Sequence, residues 1–168
     1  MIGRYAEITK VVPLFGCFNI GSSATNSKAL DLARCHRATF LIVHGVVTAA
    51  SPTLQSVVLT VLASSVVTSG TGTAIAFNYR VSGAVATDTW GSPTAALAAG
   101  ATIMAGTLTG ATVSIDVDPA IALNGPASLD GRYIRIVATP GTGVTVDNMA
   151  VVAEVEPRYI QTSPESAS

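Results

Sequence analysis

Residues 34–48, RCHRATFLIVHGVVT, set the secondary-structure class of the chain. Phe40, Leu41, Ile42, Val43, Val46 and Val47 are β-branched, aromatic or large aliphatic side chains, the types that fit a pleated surface. Thr39, Ile42, Val43, Val46, Val47 and Thr48 argue against a helix, because branching at Cβ restricts χ1 against the preceding turn. The apolar run is unbroken, which predicts a strand buried on both faces at the centre of a packed sheet. Arg34, His36 and Arg37 mark the end where the chain enters from solvent. Gly45 predicts a bulge or a close backbone approach.

Working outward, Leu54–Leu62 (LQSVVLTVL) reads as a second strand that is apolar on both faces, after a turn at Ala49–Thr53 with Pro52. Gly70 and Gly72 supply a hairpin connection within Ser64–Thr73. Thr73–Val81 alternates, with Ile75, Phe77, Tyr79 and Val81 on one face and Ala74, Ala76, Asn78 and Arg80 on the other, the pattern of a half-buried antiparallel strand. The tryptophan, Trp90, sits beside a turn, and the alanine-rich Ala95–Ala101 predicts a short helical segment. Thr112–Asp118 alternates Val113, Ile115 and Val117 inward with Ser114, Asp116 and Asp118 outward. A turn-rich connection over Asp118–Gly131 precedes two further strands, Gly131–Thr139 and Asn148–Pro157, joined by a turn at Pro140–Gly143. Strands separated by Gly, Pro, Ser and Thr turns predict an all-β fold, an antiparallel β-sandwich of jelly-roll type.

Residues 1–28 differ in texture. Val11, Val12, Leu14, Phe15, Phe18 and Ile20 lack helical spacing, and Pro13 and Gly16 interrupt either regular element. The stretch reads as a first strand of the same domain or as an extended arm that docks on a neighbour. The organisation expected is an N-terminal arm and loop over residues 1–28, a sandwich over 29–160 and a mobile polar tail over 161–168. On that expectation the six apolar side chains just named are the partner contacts.

Charged residues make up 11% of the 168-residue chain, against roughly 25% in ordinary soluble domains, and the net charge is −1. That balance attracts neither nucleic acid nor an acidic membrane. No Asp, Glu, Lys or Arg occurs over Ala38–Tyr79 or over Thr89–Ile115. Pro and Gly break both spans, so neither reads as a membrane helix of about 20 apolar residues. Glu7 and Lys10 fall where a signal peptide would carry its apolar segment, which predicts synthesis in a cytoplasm. Interface cores are depleted in charge, so the neutral stretches predict a surface covered by other subunits.

Chemical signatures are sparse. Asp116, Asp118, Asp130 and Asp147 offer oxygen ligands of the kind calcium takes, but alternating Asp on a strand also makes a solvated face. Cys17, Cys35, His36 and His44 lack the short C-x₂₋₄-C spacing of a zinc site. His44, inside an apolar run, reads as a hydrogen-bonded core histidine rather than a general base, and no nucleophile motif accompanies it or His36. SGTGT and PGTG read as β-turns, lacking the lysine of a phosphate loop. Arg132 and Arg135 are expected to pair with carboxylates such as Asp116 and Asp118 across neighbouring strands. The expectation is therefore no enzyme: no catalytic residue, no metal and no cofactor.

The strand R-x-x-F-L-I-V-H-G at Arg37–Gly45, the segment NYRVSGAVATDTWG at Asn78–Gly91 and the closing EPRY at Glu156–Tyr159 resemble small virion proteins of tailed bacteriophages, in particular capsid decoration (cement) proteins. The resemblance implies a β-sandwich on the exterior of the virion capsid, made in the host cytoplasm. It further implies a homo-oligomer, such as a trimer, that binds the major capsid protein and reinforces capsomer contacts. A head-tail or tail component, or a carbohydrate-binding sandwich, are the alternative readings; the low aromatic content (5%) counts against the last. In a virion that leaves the reducing cytoplasm, Cys17 and Cys35 are expected to approach and oxidise.

Overall fold

The computed structural model describes residues 9–21, 23–49, 56–68, 72–82, 89–104, 109–117 and 131–157. Twelve strands and one short 3₁₀ turn, Leu32–Arg34, are formed by these residues. The strands are β1 (Lys10–Asn19), β2 (Thr25–Asn26), β3 (Leu30–Asp31), β4 (Cys35–Ala49), β5 (Ser56–Ser64), β6 (Thr73–Ile75), β7 (Phe77–Val81), β8 (Thr94–Ala96), β9 (Ala101–Met104), β10 (Thr112–Val117), β11 (Tyr133–Pro140) and β12 (Val144–Pro157). They make two antiparallel sheets packed face to face, a β-sandwich. The first sheet runs β1-β12-β4-β10-β7-β8. The second runs β2-β11-β5-β6, with β3 also on β11 and β9 also on β5.

β4 is central in the first sheet, bonded to β12 along most of its length and to β10 over Ala38–Val43. It is not buried on both faces. Ala38, Phe40, Ile42 and His44 point into the core, whereas Leu41 is half-buried and Val43 is 44% exposed. A two-layer sandwich gives each sheet one inner face, so the outward members of an apolar run have nothing above them within the chain. The same holds for β5, whose Val57, Leu59, Val61 and Ala63 are buried while Val58, Thr60 and Leu62 are partly exposed.

Gly45 does what its position suggests. His44 pairs with Met149 and Val47 with Asp147, so two residues of β4, Gly45 and Val46, face one residue of β12. This is a β-bulge. A Cβ at Gly45 would lie 3.2 Å from the Asn148 carbonyl oxygen, which explains the glycine. The bulge resets the alternation and returns Val47 to the core.

The segment expected as an arm is a strand within the described residues. β1 pairs with β12 at the edge of the first sheet and places Val12 and Leu14 in the core; Ile20, just beyond it, is also buried. Pro13 is tolerated because an edge strand can turn a missing N–H toward solvent. Of the six apolar residues expected to meet a partner, Val11 (60%) and Phe18 (54%) remain well exposed and Phe15 is partly buried. Residues 1–8 and the tail 161–168 lie outside the described residues, as do the Pro52 turn, Gly70, and 118–130 of the long connection.

Thr73–Val81 is two strands in different sheets. The chain leaves β5 after Ile75 and joins β10 from Phe77. Both sheets face one core, so a strand that changes sheet keeps the same inward set, and Ile75 and Phe77 are both buried. The alanine-rich segment is not helical: it forms β8, a turn and then β9. Gly100 adopts φ +100°, and a Cβ there would sit 2.7 Å from the Leu59 carbonyl oxygen. Tertiary placement against β5 thus overrides the helix preference of alanine.

Candidate functional site

Among the described residues, a groove and a strand edge are two surface features that can make contacts; Val46 and Leu97 are exposed elsewhere. The first is a groove of about 490 Å³ on the outer face of the first sheet, lined by Arg37, Thr39, Leu41, Arg80, Trp90 and Glu154 among others. Register builds it. Glu154 pairs with Thr39 and Thr39 with Asp116; one row along, Val152 pairs with Leu41, Leu41 with Ser114 and Ser114 with Arg80. Strand periodicity puts alternate residues on one face, so Arg37, Thr39 and Leu41 of β4 point the same way as Glu154 and Glu156 of β12. Trp90, 42% exposed, is held by a bridge to Ser82 just past β7.

Inside the groove Asp116 accepts from the Thr39 hydroxyl at 2.8 Å and, more weakly, from Arg37 Nη2 at 3.4 Å. The side chains of Arg80, Glu154 and Glu156 have no hydrogen-bond or ion-pair partner among the described residues. The outward residues of the sequence segments Arg37–Gly45 and Asn78–Gly91, together with Glu156, meet here; 83–88 and 158–159 lie outside the described residues.

The second feature is the β1 edge. Phe18 stacks edge-to-face on Phe15, with ring centroids 5.4 Å apart. Beside them is a shallow depression lined by Pro13, Leu14, Phe15, Gly16, Asn26 and Lys28. Lys28 N–H donates to the Leu14 carbonyl at 3.0 Å, which fixes the loop against the middle of the strand.

Comparison with protein-family models, with curated proteins and with solved structures finds no match.

His44 and Asp147 form a fully buried pair, with Nδ1 at 3.1 and 3.2 Å from the two carboxylate oxygens. His44 Nε2 is buried without a partner. The Asp147 backbone is tied to β1: its N–H donates to Asn19 Oδ1 and its carbonyl accepts from Ile20 N–H, each at 3.0 Å. His44 is a core histidine, as its apolar setting suggested, and its pairing with Asp147 takes that carboxylate away from any cluster with Asp116. Asp118 and Asp130 lie outside the described residues. Among the described residues no three His, Cys, Asp or Glu side chains gather as a metal-holding set.

Arg132, just before β11, pairs with a carboxylate across a neighbouring strand as expected, but with Asp31 of β3 and not with Asp116, because β10 and β11 belong to different sheets. Arg135 of β11 pairs with no carboxylate among the described residues. Arg132 clamps Asp31, Nε to Oδ1 at 3.0 Å and Nη2 to Oδ2 at 2.6 Å, and lies over the Tyr133 ring. The side-chain hydrogen bond to Asp31, then its charge, raise the Arg132 pKa further above its already high ordinary value. Asp31 also accepts from Ala33 N–H, capping the 3₁₀ turn. Arg135 is 2% exposed and donates from Nη2 to the Val67 carbonyl at 2.8 Å, while Nε and Nη1 have no partner. It points away from the core formed by Ile134 and Ile136, and the chain after β5 folds over it.

Cys35 is buried, with its Sγ 3.4 Å from the Asp31 carbonyl, and Cys17 is exposed. Cys17 lies between Phe15 and Phe18, which pair with Val151 and Met149, whereas Cys35 pairs with Pro157. At about 3.3 Å per residue that puts the thiols ~20 Å apart along β12. A disulfide needs Cα atoms within about 7 Å, so the expected staple within one chain does not form in this fold.

Proposed function

We propose that this chain is a structural virion protein of the capsid decoration type, binding the outer surface of a phage shell through its major capsid protein and stabilising capsomer contacts as a homo-oligomer. The observation that carries the reading is the β1 edge, where Val11 and Phe18 stand 60% and 54% exposed on a strand held to the core by Val12 and Leu14. The resemblance in Arg37–Gly45 and Asn78–Gly91 supplies the class of partner. The charge-poor composition, at 11% charged residues, agrees with a life spent in contact with other subunits.

The physical logic differs from that of a flexible arm. A disordered arm loses about 1–2 kcal/mol of backbone entropy for each residue it orders on docking. β1 is already ordered by twelve-stranded packing, so little of that cost remains. Burying the exposed parts of one Val and one Phe contributes a few kcal/mol at roughly 25 cal/mol per Å². One copy would bind weakly, and several copies in one oligomer would bind firmly through effective concentration.

Deleting residues 1–20 is a poor test, since it would strip Val12, Leu14 and Ile20 from the core. Replacing Val11 and Phe18 together with glutamate tests the proposal directly. The double variant is expected to stay folded and cooperative, melting only a few degrees lower for the lost Phe15–Phe18 contact, and to lose most of its binding to shells that lack the protein. Full occupancy on such shells by a folded double variant would contradict the proposed contact.

A further inference from the structure

The groove on the first sheet has a composition that selects among ligand classes. Its charged side chains are Arg37, Arg80, Asp116, Glu154 and Glu156, two positive against three negative. That balance neither attracts phosphate nor concentrates cations. With Asp116 engaged by Thr39 and Arg37, the unpartnered groups are one guanidinium, on Arg80, and two carboxylates, on Glu154 and Glu156. Arg80 stands three strands from Glu154, about 14 Å across the sheet, so donor and acceptors meet different units of an extended ligand. A chain carrying hydroxyls along its length suits both, since a carboxylate accepts from O–H and a guanidinium donates to its oxygen. Leu41 and Trp90 add apolar surface on which the C–H faces of a sugar ring can pack. The volume, about 490 Å³, falls within the ~300–1,000 Å³ of small-ligand sites.

We propose that this groove binds a neutral oligosaccharide, with Trp90 as the packing surface and Arg80, Glu154 and Glu156 as the hydrogen-bonding groups. The low aromatic content of the chain does not bear on a site that needs one ring. The proposal concerns the outer face of the sheet; Val11 of β1 pairs with Glu154 at the border of the groove, whereas Phe18 lies beside Met149 farther along the edge.

Trp90 is the chain's one tryptophan, so its fluorescence reports on the groove alone. The full chain is screened on a glycan array carrying neutral and anionic glycans, and titrated with the neutral glycan that binds best and with maltohexaose, cellohexaose and chitohexaose. At least one neutral glycan is expected to bind and to shift the Trp90 emission. Trp90→Ala should lower its affinity at least tenfold, read by calorimetry. Arg80→Ala and Glu156→Gln should each lower it about tenfold, the loss of one charge-assisted hydrogen bond, with melting temperature unchanged in these two. Binding of no neutral glycan, preference for anionic glycans, or full affinity in Trp90→Ala and Arg80→Ala would overturn the site. Loss of shell binding in Trp90→Ala would overturn it too, by making the groove a protein interface. Failure here leaves the result for the Val11 and Phe18 double variant unaffected.

Discussion

Replacing Ile42 with aspartate is expected to abolish folding. Ile42 is fully buried and pairs with Val113 on one side and Val151 on the other, both also fully buried. The change removes an apolar side chain worth about 1.5–3 kcal/mol in burial. It also places a carboxylate where no cation stands opposite, at a further cost of several kcal/mol. Against a typical total stability of about 5–15 kcal/mol, that leaves little or no folded state. The variant should accumulate as insoluble protein or lack a cooperative melting transition followed by far-UV circular dichroism. A soluble variant with unchanged melting would mean that β4 is not central.

Asp147→Ala should produce the second-largest loss. It leaves the His44 imidazole buried with both ring nitrogens lacking a partner, since Nε2 already has none. Breaking a buried polar pair from one side costs about 2–5 kcal/mol. The backbone bonds of Asp147 to Asn19 and Ile20 do not depend on its side chain and should survive. Adding His44→Leu to Asp147→Ala should recover a substantial part of the loss, because an apolar replacement of the whole pair leaves nothing unsatisfied. Denaturant titration measures both. A single variant within 1 kcal/mol of the parent, or a double variant no better than the single, would show that the pair is not the structural unit described.

What could be read in the sequence, and what could not, follows from the range of the forces involved. Strand type and inward faces were legible because they rest on alternation within one segment: Val113, Ile115 and Val117 do point inward, and Ile75 and Phe77 share the core. The central place of β4 was legible from its length and apolar run, but its outer face was not, because an outward Leu41 or Val43 looks the same in sequence as an inward one. Sheet membership is non-local. Ala76, where the chain crosses from one sheet to the other, carries no turn signal, and Arg132 and Arg135 were matched to Asp116, which lies on the other sheet, for the same reason. The groove was hidden likewise: Arg37, Arg80 and Glu154 come from three strands whose order no local pattern encodes. The sequence did carry a signal, in the outward alternation at 37, 39 and 41 and at 154 and 156, but it becomes a site only once register is known. β1 was ambiguous because Pro13 and Gly16 mimic a linker, whereas on an edge strand both are tolerated.

The proposal that the chain binds a phage shell from outside is checked by electron microscopy of gradient-purified particles assembled with and without it. The expected result is that the protein sediments with the particles and adds density on the outer surface of the shell, at sites where capsomers meet. Particles identical in both preparations, with the protein left at the top of the gradient, would contradict the claim, as would density confined to the tail or the head-tail junction.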